Sequence, residues 1–216
     1  SFANYSGYSR GINGIMVDIV SLATTDLLPF DFEFHVGNSN TPGSWTILTT
    51  PPSVTVRTGA GSGGSDRVEL IWDDNVIQKQ WLRVKVLADA NGGHAGLAGD
   101  DVFYFGNAIG EVGNSLTDAT VTAPDELLIR ANPRSPINPA PITFAYDINR
   151  DKLVNATDQL LARNNRTSPL NGLKLISVPV SLSGMALSGQ DSVAADLATG
   201  GGVAAGSGAR GKRTNK

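Results

Sequence analysis

Residues 30–36 read FDFEFHV, a strict alternation of apolar and polar side chains. Phe30, Phe32, Phe34 and Val36 fall on one face of an extended chain, and Asp31, Glu33 and His35 on the other. A period of two belongs to a strand with one buried face, since a helix of period 3.6 would scatter these residues around its axis. WLRVKVLA (81–88) repeats the pattern, with Leu82, Val84 and Val86 opposed to Arg83 and Lys85. GIMVDIVSL (14–22), SVTVRTG (53–59) and RVELIW (67–72) are further β-branched runs. Turn-forming stretches such as GNSNTPGS (37–44) and GAGSGGSD (59–66) separate them. This spacing predicts an all-β sandwich over residues 1–100, predominantly antiparallel, with Phe32, Phe34, Val84 and Val86 buried.

Composition narrows the function classes. The chain has 216 residues, 40% hydrophobic and 17% charged, the balance of a globular protein with material for a sizeable core. Its net charge of −3 includes a basic end, Arg210, Lys212, Arg213 and Lys216, that carries no acid. The rest is therefore more acidic than the whole, which argues against nucleic acid as a partner. There is no cysteine, which excludes disulfides, thiolate zinc sites and cysteine nucleophiles. No run approaches the roughly 18 apolar residues of a membrane span. The chain opens on Ser1 rather than Met, so a processed or excised piece of a longer protein is expected. His35 and His94, the two histidines, lie in neither a nucleophile elbow nor a zinc motif and read as surface or loop residues.

Residues 101–170 change character. VTAPDELLIRANP (121–133) and VNATDQLLARNNR (154–166) align at an offset of 33 with seven identities in thirteen, which points to a duplication. Each copy reads as a short helix with Asp125 or Asp158 in its first turn and Arg130 or Arg163 in its last, matching the helix dipole. The connector NPRSPINPAPI (132–142) holds four prolines and should be extended. Residues 171–216 begin with LKLISVPVSL (173–182), expected as a last strand with Pro179 at an edge or bulge, and end in a Gly/Ala-rich basic tail.

The second copy is preceded by DINRDKLVNATD (147–158). Asp147, Asn149, Asp151, Asn155 and Asp158 place oxygen donors at positions 1, 3, 5, 9 and 12 of a loop, and the Leu153 carbonyl falls at position 7. Hard oxygen donors at this spacing, without nitrogen or sulfur, are what calcium requires. Three carboxylates so close repel one another unless a cation joins them. A turn rich in Asp and Asn that caps a helix explains one or two of these residues, not all five. Before the first copy the pattern is degenerate. Asn114, Asp118, Thr122 and Asp125 fall at positions 1, 5, 9 and 12, Leu116 sits at position 3, and an insertion makes Asn107 and Glu111 alternative ligands.

DINRDKLVNATD resembles the repeat of bacterial type I dockerins, which carry two calcium loops, each followed by a helix. The match departs at Lys152, where that family usually has Gly for a left-handed turn. YSRGINGIMVDI (8–19 with its flanks), SDRVELIW (65–72), DVFYFGNAIGE (101–111) and the 147–165 loop and helix together resemble the C-terminal part of large secreted proteins of planctomycete-type bacteria. The resemblance covers roughly residues 5–178 and implies a small α-helical, EF-hand-like calcium-binding domain over 101–170. It also implies an extracellular or cell-surface setting, no catalytic role, and a protein partner. That partner is either a cohesin-like β-sandwich or another copy of the chain, which allows a homo-oligomer or filament. The alternative function is carbohydrate binding, with Trp45, Trp72 and Trp81 as stacking platforms. Alternation groups Trp72 with Val68 and Leu70 in the core and sets Trp81 beside Arg83 on the polar face.

Overall fold

The computed structural model describes residues 4–176, and two β-sheets dominate them. The strands in chain order are β1 (Tyr5–Ser6), β2 (Gly14–Ile19), β3 (Phe32–Gly37), β4 (Thr46–Ile47), β5 (Ser53–Arg57), β6 (Asp66–Ile71), β7 (Trp81–Val86) and β8 (Asp101–Asn107). Two short helices follow, α1 (Ala123–Ala131) and α2 (Ala156–Asn164). One sheet has the order β1-β8-β7-β3-β4 and the other β2-β6-β5. All the pairings are antiparallel except β1 with β8.

Register follows from alternation. Phe32 stands opposite Val86 and Phe34 opposite Val84, so one face of the β3–β7 pair is wholly apolar. On the other face Lys85 reaches Glu33 at 2.8 Å, and Arg83 Nη2 donates to His35 Nδ1 at 2.9 Å. Slipping either strand by one residue would exchange the two faces. The apolar face meets Ile15, Val17, Ile19, Val68 and Leu70 of the second sheet in one core. Phe32, Phe34, Val84 and Val86 are all buried in it, as their spacing predicted.

Strand β3 starts later than its alternation suggests. Pro29 opens a 3-10 turn over Pro29–Asp31, which moves Phe30 out to 59% exposure and turns Asp31 into the interior. Asp31 is held there by the Leu28 N–H at 2.7 Å and by His94, whose Nδ1 lies 2.6 Å from Oδ1. The sheet also runs past residue 100, because β8 pairs along the whole of β7. The described residues form one unit, and the boundary between 100 and 101 falls at a sheet strand rather than in a linker.

The outer face of β7 is covered, not open. Trp81 is on the same strand face as Arg83 but is buried with Trp45, Ala108, Ala119, Leu173 and Ile176, and its indole N–H donates to the Lys174 carbonyl at 2.8 Å. A third cluster, built on Ile109, Val112, Val121, Ile129, Ile148, Val154 and Ala162, lies between the two helices and the loops before them. The proline-rich connector is non-helical but not extended throughout, since Ser135 and Asn138 bond each other across a tight turn at Pro136–Ile137. Of the last strand predicted from Leu173, only Leu173–Ile176 is described, with a single bridge from Leu173 to Ala119. Pro179 and the basic tail lie outside the described residues. Among the described residues no helix is long and apolar enough to cross a membrane.

Candidate metal centre

The 147–158 loop is anchored by its apolar positions. Ile148 and Val154 are buried in the third cluster, and Val154 exchanges two backbone hydrogen bonds with Arg134, each 3.2 Å. Between these anchors the chain must coil tightly. Arg150 (φ 58°) and Lys152 (φ 70°) supply the left-handed turns.

Backbone N–H groups orient the oxygen donors. Asp147 accepts from the N–H of Asp151 at 3.2 Å and of Lys152 at 2.9 Å. Asp151 accepts from the Leu153 N–H at 2.8 Å and from the Asn149 side chain at 2.9 Å. Asp158 accepts from Ile148 N–H at 2.9 Å through one oxygen and from Asn155 N–H at 3.0 Å through the other. Asn155 Oδ1 accepts from Thr157 N–H at 2.7 Å and caps α2. Capping thus accounts for Asn155 and part of Asp158, but not for Asp147, Asn149 or Asp151.

Asp147 and Asp158 are both buried, at 2% and 0% exposure. Burial pushes the Asp147 carboxyl above its ordinary value, and the charges of Asp158 and Asp151 push it further. Each carboxylate oxygen named above keeps a lone pair beyond the hydrogen bond it accepts. Among the described residues, however, no three or more His, Cys, Asp or Glu side chains converge as a metal-holding group. The oxygens rest on the loop's own N–H groups. As a donor set of three carboxylates, two carboxamides and a carbonyl, the loop fits a hard cation and suits no thiophilic metal.

The first loop repeats this arrangement with a different first residue. Asp125 Oδ1 accepts from Val112 N–H at 3.3 Å and Oδ2 from Thr122 N–H at 2.7 Å, as Asp158 does from Ile148 and Asn155. Asp118 accepts from Thr120 N–H at 3.1 Å, as Asp151 does from Leu153. Val112 is buried like Ile148. The residue equivalent to Asp147 is therefore Glu111. Asn114, placed first by spacing, instead donates its side-chain N–H to Asp125 at 2.9 Å. The loop is three residues longer than its partner, and the surplus carries Leu116 out to 94% exposure.

Two alternative ligands separate cleanly. Glu111 is 2% exposed, takes the Tyr5 hydroxyl and the Gly113 N–H on Oε2, and leaves Oε1 without a partner. Burial raises its pKa, opposed by the Tyr5 hydrogen bond. Asn107 turns both amide hydrogens and its carbonyl oxygen to the strand side. It donates to the carbonyls of Ser6 and Tyr8 at 3.0 Å and accepts from Lys79 N–H at 2.9 Å, so it ties strands together rather than lining the loop. Spacing alone could not choose Glu111; the apolar residue that follows it, as Ile148 follows Asp147, was the available signal.

The two units also embrace each other. Val154 of the second loop pairs with Arg134 beyond α1, and Val121 of the first pairs with Thr167 beyond α2, through bonds of 2.8 and 2.9 Å. Arg134 and Thr167 stand at the same offset of 33 as the repeats. Glu126 of α1 is bound by Arg163 and Arg166 from α2 and the turn after it.

Elsewhere, Trp45, Trp72 and Trp81 are all buried, so none presents a ring face to solvent. No family model matches the chain, and neither a curated protein nor a solved structure matches it.

Proposed function

We propose that this chain is a non-catalytic, extracellular or cell-surface module in which the two loop-and-helix units that follow β8, from Glu111 to Arg166, are a dockerin-like pair of calcium loops that mediates protein attachment or assembly. The observation that carries the reading is the matched closure of the two units. In each, an aspartate from the first helical turn accepts the N–H that follows the loop's first acid, Asp158 from Ile148 and Asp125 from Val112. Calcium would be held by Asp147, Asn149, Asp151, the Leu153 carbonyl, Asn155 and Asp158, with Glu111, Asp118 and Asp125 as the acids of the other loop. The cation offsets the mutual repulsion of buried carboxylates and thereby adds its binding energy to the fold.

A protein-facing surface is supported by Leu127 and Leu160, equivalent positions on the two helices, which are 60% and 49% exposed. The partner is a cohesin-like β-sandwich or a second copy of the chain. Light scattering of the full chain, in calcium and in chelator, tests the second copy: a mass above the monomer that collapses on chelation is expected. Calcium-dependent retention on an immobilised cohesin-like sandwich tests the first. A monomer under both conditions, with no retention, overturns the attachment role.

A further inference from the structure

Residues 4–10 bind the sheet edge and both candidate loops at once. Tyr5 and Ser6 pair with Gly106 and Asn107 in a parallel strand of two residues, too short to hold itself in place. Ala108 N–H donates to the Ser6 carbonyl and Gly110 N–H to the Gly7 carbonyl, both at 3.0 Å. Gly7 lies so flat on the first loop that a Cβ there would collide with the Glu111 carbonyl. Ser9 N–H donates at 2.9 Å to the carbonyl of Ile148, the second residue of the other loop. The Tyr5 hydroxyl donates to Glu111 Oε2.

Glu111 is where this segment and the first loop share a group. Its Oε1 is buried without a partner, near the buried Asp125, and it lines a cleft of about 430 Å³ with Tyr5, Gly7, Gly113 and Arg150. A buried carboxylate oxygen left unpaired is costly, and a cation on that side of Glu111 supplies the missing partner. Loss of such a cation would favour a more solvated Glu111 and so weaken its hold on Tyr5.

We infer that residues 4–10 form a clasp whose closure on β8 is linked to cation occupancy of the Glu111 loop, through the Tyr5–Glu111 and Ser9–Ile148 hydrogen bonds. The inference rests on the calcium reading above. Linkage is reciprocal, so the clasp strengthens cation binding by the factor with which the cation strengthens the clasp.

The test combines amide hydrogen exchange with calorimetric calcium titration of the full chain and of Tyr5→Phe, which keeps the ring and loses the hydroxyl. Calcium is expected to slow exchange at Ser9, Ala108 and Gly110 by about tenfold, within the usual range of coupling. Tyr5→Phe should lose about tenfold in affinity at one site and leave the other unchanged, with exchange in β3 and β7 unaffected. Calcium binding with unaltered exchange at the three amides, and with Tyr5→Phe binding as the parent, overturns the clasp alone. Absence of any binding overturns the clasp and the calcium reading together.

Discussion

Single side chains decide how the loops close. Asp158 satisfies two backbone N–H groups from full burial, so Asp158→Ala strands both donors. An apo-state loss of about 2 kcal/mol is expected from that alone, read by denaturant unfolding in chelator. Lys152 works in the opposite sense. Its φ of 70° suits glycine, while its N–H on Asp147 needs no side chain. Lys152→Gly should therefore hold or raise stability, by up to about 1 kcal/mol, and bind calcium at least as well as the parent. A clear loss on that change would show that the lysine side chain matters. In the sheets, Asp18 accepts two bonds from Arg67 and the Ser62 N–H, which pull its pKa down to about 2. A depressed carboxylate stabilises the fold fully above its unfolded value of about 3.9, and this is lost as pH falls through its folded value. Part of the protein's stability should be lost in that window, and Asp18→Asn should flatten the slope there. An unchanged slope would remove Asp18 from the account.

Elements repeat the lesson with larger groups of residues. The β3–β7 pair was legible because its alternation is unbroken from Phe32 to Val36 and from Leu82 to Val86, and burial followed it. Phe30 was misplaced because Pro29 imposes a turn that the period-two pattern does not register. Strands β1 and β4 have two residues each, too few to show any period, and β8 carries FYF within a run that reads equally as a loop entry. The two helices were legible from the duplication, and α1 and α2 fall within the aligned segments. The first loop was legible only in part. Asp118 and Asp125 kept their places, but three extra residues hid the equivalence of Glu111 and Asp147. Asn107 was a polar residue with a burial role that spacing cannot reveal, since its partners, Ser6, Tyr8 and Lys79, are distant in sequence. The common core makes a further expectation quantitative. Leu70 is fully buried between the sheets, so Leu70→Ala should cost about 3 kcal/mol in denaturant unfolding while leaving calcium affinity unchanged. A parallel loss of calcium affinity would mean that the sheets and loops do not separate energetically.

For the whole molecule, the sheets carry a large apolar core of their own, whereas the loop and helix region buries Glu111, Asp125, Asp147 and Asp158, the acids that the proposed calcium ions would join. Chelation should therefore loosen α2 and the 147–158 loop at a temperature where β3, β6 and β7 remain protected. The central claim is that the 147–158 loop binds calcium, and calorimetric titration of the full chain beside Asp158→Ala tests it most directly. The account predicts saturable heat with calcium, and a weakening of at least about tenfold at one site in the variant, since position 12 ties the loop to its helix. No heat with the parent chain, or a variant that binds as tightly, would contradict it and leave the loop as a helix cap.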